Sequence, residues 1–156
     1  MENSIRNRVG ICGIYCGNCP SFLAPRTSDT DMMARLSQEK GIAAEALRCD
    51  GCLSDRVSHH CADCRHGFRE CASAHGITWC FQCTDFPCER LEGFRDIHIV
   101  NGISHHERII EELREIMSGG IDAWVEKQEA DSRCPTCGKI LYWFDRSCSD
   151  CGSEIR

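Results

Sequence analysis

Three features of the 156-residue sequence predict a small metal-stabilised α+β fold: fifteen cysteines, their grouping into Cys-x-x-Cys pairs, and one strongly amphipathic acidic segment. Sixty-five residues are apolar when cysteine is counted and 50 when it is not, about 32% of the chain. That supply is thin for one domain of this length. Cysteine at such density ordinarily replaces missing hydrophobic core with covalent or metal bonds. The expected architecture is an irregular cysteine-rich zinc-knuckle module with short helices over residues 1–100, an amphipathic helical pair over 101–131, and a C-terminal zinc ribbon over 132–156.

Spacing decides between disulfides and metal. Six pairs read Cys-x-x-Cys: Cys16/Cys19, Cys49/Cys52, Cys61/Cys64, Cys80/Cys83, Cys134/Cys137 and Cys148/Cys151. Two thiolates three residues apart on a tight turn point at one ion, as in a zinc knuckle. One such pair could be a redox dithiol; six exceed any catalytic need. An odd total would also leave one thiol over in a disulfide-bonded monomer. The opening MENSIRNRVGIC lacks the apolar stretch of a secretory leader, and no run of about 18 apolar residues could span a membrane. No lipidation signal is visible at either end. The expected location is cytoplasmic, where thiols stay reduced.

Asp29 to Lys40 is expected to be helical, capped by Ser28 or Asp29, with Met32, Met33 and Leu36 as its apolar stripe and Gly41 as its stop. A second helix is expected over Gly67 to His75, with Cys71 in its middle and Gly76 ending it. A third opens at Phe86-Pro87 and runs to about Phe94, Leu91 facing inward. The clearest periodicity lies in residues 104–131. Ser104 and Glu107 match a capping box. Ile109, Ile110, Leu113, Ile116 and Met117 then recur at helical spacing with acids opposite. Gly119-Gly120 breaks the helix, and Ile121, Trp124 and Val125 line a second one ending near Asp131. Such a pair either covers the thin core of the metal module or presents a docking face to another protein.

The C-terminal thiols read Cys134-Pro-Thr-Cys137-Gly and Cys148-Ser-Asp-Cys151-Gly. The glycine after each knuckle lets the backbone fold back at positive φ, and Ile140 to Phe144 is expected as the strand between. Four thiolates close a tetrahedral shell, which makes the site structural. Zinc is favoured over iron because the connecting loop is shorter than in rubredoxins. Tyr142, Trp143 and Phe144 are expected to pack the ribbon rather than stack on bases.

The eleven N-terminal thiols do not divide by four. Proximity groups Cys49, Cys52, Cys61 and Cys64 for one ion and Cys71, Cys80, Cys83 and Cys88 for another; cross-braced pairings fit the spacing equally well. The remaining Cys12, Cys16 and Cys19 have the spacing that holds three irons of a four-iron, four-sulfur cluster. The chain is too short for the barrel of the radical enzymes that share this spacing. Zinc held by the triplet and a fourth ligand is the competing reading, with His59, His60, His66, His75 or Cys88 as that ligand.

CGIYCGNCPSFLA, RCDGCLSDRVSHHCADC and RECASAHGITWCFQCTDFPCERL together resemble domain-of-unknown-function family 3795, small cysteine-rich proteins of bacteria and archaea. The resemblance spans roughly residues 8–95 and takes in all eleven N-terminal cysteines. The segment SHHERIIEELREIMSGGIDAWVEKQEADSRCPTCG is similar to longer members that append a helical segment and a zinc ribbon. The resemblance implies metal binding through the cysteines and carries no activity with it.

Formal charge is −6, and residues 104–131 hold eight acids against three bases. Thiolate-bound zinc adds further negative charge. Nucleic-acid binding, which needs clustered positive charge, is therefore disfavoured. Fifteen of the 18 basic residues are arginine, expected to make surface ion pairs rather than one anion site. No Ser/His/Asp arrangement, phosphate-binding glycine loop or His-Glu-x-x-His helix occurs, so no catalytic residues are assigned. The expected function is that of a multi-zinc protein carrying three to four structural ions, contacting another protein through the acidic segment 104–131. The alternative is an iron–sulfur or metal-dependent redox protein using Cys12, Cys16 and Cys19.

Overall fold

The computed structural model describes residues 5–62 and 66–155. Short helices and loops dominate. Two single-turn 3-10 helices, Ile5–Arg8 and Cys16–Asn18, lead into α1 (Pro20–Thr27) and α2 (Thr30–Lys40). Pro20 at the first helical position opens α1 as its fixed φ favours. Asp29 caps α2 by accepting from the Met32 N–H at 2.9 Å, and Gly41 ends it at φ 65°. A 3-10 turn, Ala44–Leu47, and α3 (His59–Ala62) follow. Next come α4 (Phe68–His75), a 3-10 turn at Cys80–Gln82, and α5 (Glu89–Phe94). Helix α4 sits where the sequence predicts it, between Gly67 and Gly76. Helix α5 starts later than expected: Cys88 is extended, so the first helical residue is Glu89.

Among the described residues the one sheet is a two-stranded antiparallel hairpin, β1 (Ile99–Val100) with β2 (Ile103–Ser104). It overturns the expected capping box. Ser104 belongs to β2 and its hydroxyl donates to the Arg95 carbonyl at 2.9 Å, so α6 (Ile109–Gly119) begins after Arg108 instead. Gly120, at φ 85°, separates α6 from α7 (Ile121–Asp131). The expected strand at Ile140 to Phe144 is also absent. Ile140 makes an isolated bridge to Arg133, and the chain then turns, with the Asp145 N–H on the Tyr142 carbonyl and the Tyr142 N–H on the Asp145 carboxylate.

The apolar stripe of α6 is spent inward. Ile109, Ile110 and Leu113 pack with Ile11, Phe68, Leu91 and Phe94, while Ile116 joins Trp124, Val125, Val9, Tyr15 and Trp79. Burying each such side chain contributes about 1.5–3 kcal/mol. Met117, placed by periodicity in the same stripe, is 56% exposed. It lies about 100° beyond Ile116 on the helix, past the edge of the apolar face. Gly13 admits this packing: at φ 91°, a Cβ there would stand 2.5 Å from Leu113 Cγ. A third cluster joins Leu23 and Ala24 of α1 to Tyr142 and Phe144. The Asp29 carboxylate ties the same junction by accepting from the Tyr142 hydroxyl at 2.7 Å.

Irregular loops leave carbonyls without backbone partners, and arginine supplies many of the donors. Arg26 donates to the Phe22 and Cys49 carbonyls, Arg69 to Cys52, Arg90 to His66, Arg95 to Glu107 and Arg146 to Asn101. The arginine excess thus serves loop closure as well as surface ion pairs such as Arg35–Glu39.

Glu112 of α6 is half-buried, and loss of solvation raises its carboxyl from 4.5 to about 7. The folded state therefore holds its proton more tightly than the unfolded chain, and stability falls as pH rises from 4.5 towards 7. Glu112→Gln is expected to stabilise the protein at pH 8 by about 1–3 kcal/mol, with a smaller gain at pH 6, in denaturant titrations.

Candidate metal centres

Fourteen of the fifteen cysteines lie among the described residues, all as free thiols, and Cys64 falls outside them. The fourteen assemble into three groups. The simplest is C-terminal. The Sγ atoms of Cys134, Cys137, Cys148 and Cys151 all lie within 4.8 Å of one another. Cys134 stands 3.6 Å from Cys151, and Cys137 3.5 Å from Cys148. Each knuckle is built the same way: the Gly138 N–H returns to the Cys134 carbonyl and the Gly152 N–H to Cys148, with φ 77° and 73° at the two glycines. The glycines are where the sequence predicts them. Four thiols at this separation could hold one metal ion.

Electrostatics in the ribbon group are uneven. N–H groups of Cys137 and Thr136 lower the Cys134 thiol, and Ser153, through its hydroxyl and its N–H, lowers Cys151 to about 6. Cys137 accepts from the Lys139 N–H, yet the neighbouring Cys148 thiol drives it up to about 12. Amide donors thus favour thiolates, while the other thiols oppose a second charge.

The second group surrounds a small cavity lined by Cys71, Cys80, Cys83 and Cys88, with Phe68 and Phe86 beside them. These are the four residues that proximity groups in the sequence. Cys71 comes from α4, Cys80 and Cys83 from the turn after it, and Cys88 from the entry to α5. Burial first, then Cys88, Cys71 and Cys83, push the Cys80 thiol up to about 12. His75 Nδ1 lies 3.8 Å from Cys71 Sγ, and His75, Cys83 and Asp85 could themselves gather about an ion.

The third group departs from expectation. Cys12, Cys16 and Cys19 are not stranded: they share one interior with Cys49, Cys52 and Cys61. The Cys52 thiol is near enough to those of Cys16 and Cys61 for each pair to oppose a second charge. Cys12, Cys16 and Cys49 are each less than a tenth exposed. Loss of solvation raises Cys12 and Cys49 and takes Cys19 to about 11; the Cys16 thiol raises Cys52, and the Cys52 thiol raises Cys61. A hydrogen bond between the Cys80 N–H and the Ile11 carbonyl, 2.9 Å, ties this group to the second.

Local chain chemistry explains the merger. The Cys49 N–H bonds the Ser21 carbonyl at 3.0 Å, and Arg26 grips the Cys49 carbonyl and the Asp50 carboxylate at 2.9 and 2.6 Å. The Cys49–Cys52 knuckle is thereby pinned onto α1, just beyond Cys16 and Cys19. Three of the expected fourth ligands of the triplet go elsewhere. His75 and Cys88 belong to the second group, and the His66 ring packs on Phe94 at 4.7 Å. The side chains of His59 and His60 lie outside the described residues.

A histidine group was not anticipated from the sequence. One nitrogen from each of His98, His105 and His106 lies within 4.8 Å of the others. Burial lowers His105 to about 3 and His106 to about 4. The signal that could have found it is Asn101-Gly102, the dipeptide of a two-residue hairpin turn.

Gly51 sits at φ 100° inside the Cys49–Cys52 knuckle, where a Cβ would strike the Asn7 carbonyl. Backbone cannot yield there as a side chain would. Gly51→Ala is expected to cost at least about 2 kcal/mol of stability and to lower metal retention at the third group while leaving the ribbon loaded. Denaturant unfolding with zinc quantification on the same samples checks both.

No curated protein and no solved structure matches the chain. Its N-terminal cysteine module does have a family: residues 8–93, more than half of the chain, match the one described as "protein of unknown function (DUF3795)", and the chain belongs to that family.

Proposed function

We propose that the protein is a multi-zinc protein whose ions are structural, and that the acidic outward side of α6 and α7 is its contact surface for another protein. The observation that carries the metal reading is the convergence of four ribbon Sγ atoms within 4.8 Å, on turns whose amide groups favour thiolates. One ion suits the ribbon, one suits Cys71, Cys80, Cys83 and Cys88, and one or two suit the third group, which supports three to four ions. Zinc bound by such ligands contributes on the order of 10 kcal/mol or more to folding, ample for a chain with so little apolar core. The contact surface is supported by charge: the apolar side of the helical pair is consumed inside, leaving exposed acids such as Asp122 and Glu126 outside. A basic partner fits that side.

One observation favours the redox alternative. Six described thiols in one interior exceed the four that a single zinc takes. An iron–sulfur cluster would take three of the six, Cys12, Cys16 and Cys19. Elemental analysis of anaerobically prepared protein, with its visible spectrum, separates the two. Three to four zinc ions per chain and no colour support the structural reading; stoichiometric iron with visible absorption, lost when the triplet is changed to serine, overturns it. In the zinc case, Cys148→Ser is expected to release one ion from the ribbon and leave the others bound. Asp122→Lys with Glu126→Lys is expected to weaken retention of a basic partner without altering metal content.

A further inference from the structure

We propose that His98, His105 and His106 form a further metal site, separate from the thiol groups, which takes one divalent transition-metal ion and leaves a coordination position open. The site begins with the hairpin. Asn101 and Gly102 both adopt positive φ, 53° and 72°, as a tight two-residue turn requires. That turn pairs Val100 with Ile103 and Ile99 with Ser104. The next rung brings His98 opposite His105, and the His105 N–H bonds the His98 carbonyl at 3.0 Å. His106 follows directly, before α6 begins.

Three imidazoles thus converge, one nitrogen of each within 4.8 Å of the others. Metal–nitrogen bonds of about 2.0–2.1 Å in a tetrahedron set ligand nitrogens about 3.4 Å apart, which small side-chain rotations reach. Aromatic rings wall the group on two sides. Trp143 stacks on His105 at 4.2 Å and 6° between planes, and Phe94 on His106 at 4.0 Å and 17°.

Packing alone would explain the stacked rings but not the nitrogens. His106 is only 6% exposed, yet its Nδ1 has no hydrogen-bond partner, and His105 Nε2 is likewise buried without one. A buried polar atom left unpaired costs about 1–3 kcal/mol. One metal ion bound through His105 Nε2 and His106 Nδ1 would satisfy both atoms at once. His98 lies on the exposed rim, so solvent reaches the group from that side and can fill the fourth position. Three neutral nitrogen donors with one open position suit zinc, cobalt, nickel or copper rather than magnesium or calcium. Three histidines and an exchangeable ligand are also the composition of an open, rather than closed, zinc site.

The test uses Co2+ as a probe on full-length protein that has been loaded with zinc and then treated with a mild chelator, which strips an open three-histidine site and leaves the closed thiol sites filled. One equivalent of Co2+ is expected to bind, giving ligand-field absorption without thiolate-to-cobalt charge transfer. His98→Gln, at the exposed rim, is expected to weaken that binding at least tenfold, and His98→Gln with His105→Gln to abolish it. Circular dichroism and zinc content of the variants would match the parent. The proposal is overturned if no Co2+ binds to the zinc-filled protein, or if the double variant binds it as tightly as the parent. It is also overturned if all the bound Co2+ shows thiolate charge transfer, which assigns the ion to cysteine. Failure of the thiol groups to load with zinc would count against the structural-zinc reading instead, and ligand-field absorption free of charge transfer would still report the histidines.

Discussion

Buried thiols impose the constraint on which the rest of this protein depends. A thiolate loses its solvation in an interior, and each neighbouring thiolate adds repulsion, so a crowd of cysteines without a cation stays neutral. Cys12, Cys19, Cys49 and Cys80 show that state: burial comes first and neighbouring thiols add to it. A divalent ion reverses the balance, because it pairs the charges that crowding forbids. A chain holding such ions could dispense with long elements. Its ligands would need only short turns, glycines where backbone meets backbone, and arginines to close the carbonyls that such loops expose. Gly51 against Asn7 and Arg26 against Cys49 are the local forms of that economy.

The acidic helical pair follows from the same shortage. With few apolar residues available, α6 distributes its stripe between two clusters: Ile109, Ile110 and Leu113 cover the side bearing Cys12, and Ile116 covers the side bearing Tyr15 and Trp79. Gly13 lets Leu113 descend onto the loop that carries Cys12 and Cys16. Arg8 meets Glu129 of α7 at 3.0 Å, a partly solvated pair of about 0–1 kcal/mol that orients more than it stabilises. The helices therefore cover the first cysteine loop directly, and their charge faces the other way.

Much of this was legible in the sequence wherever one local rule dominated. Asp29 and Gly41 bound α2, Gly67 and Gly76 bound α4, and Gly138 and Gly152 fold the ribbon knuckles, each through backbone geometry that neighbours do not override. Proximity in sequence also collected Cys71, Cys80, Cys83 and Cys88. It failed for Cys12, Cys16 and Cys19, because the contact with Cys49, Cys52 and Cys61 is made across some thirty residues by Arg26 and a backbone bond from Cys49 to Ser21. Ser104 and Glu107 matched a capping box that the β1–β2 pairing pre-empts. Asn101-Gly102 carried the information for that hairpin, but strands of two residues leave no alternation to notice beside it.

The hairpin matters beyond its size because it joins the cysteine module to the ribbon. Asn101 donates to the Phe144 carbonyl at 3.2 Å, and Arg146 returns two donors to the Asn101 carbonyl at 3.0 and 2.9 Å. Trp143 leaves the ribbon turn to lie flat on His105, while Tyr142 reaches the carboxylate that caps α2. The hairpin, α1 and α2 thus hold the ribbon's position, and a metal on its four thiols would hold its fold. A metal on His98, His105 and His106 would stand at that junction, fixing the ring on which Trp143 rests. Its occupancy would stiffen the seam between ribbon and module without touching a single thiol, so position and folding of the ribbon would answer to different ions.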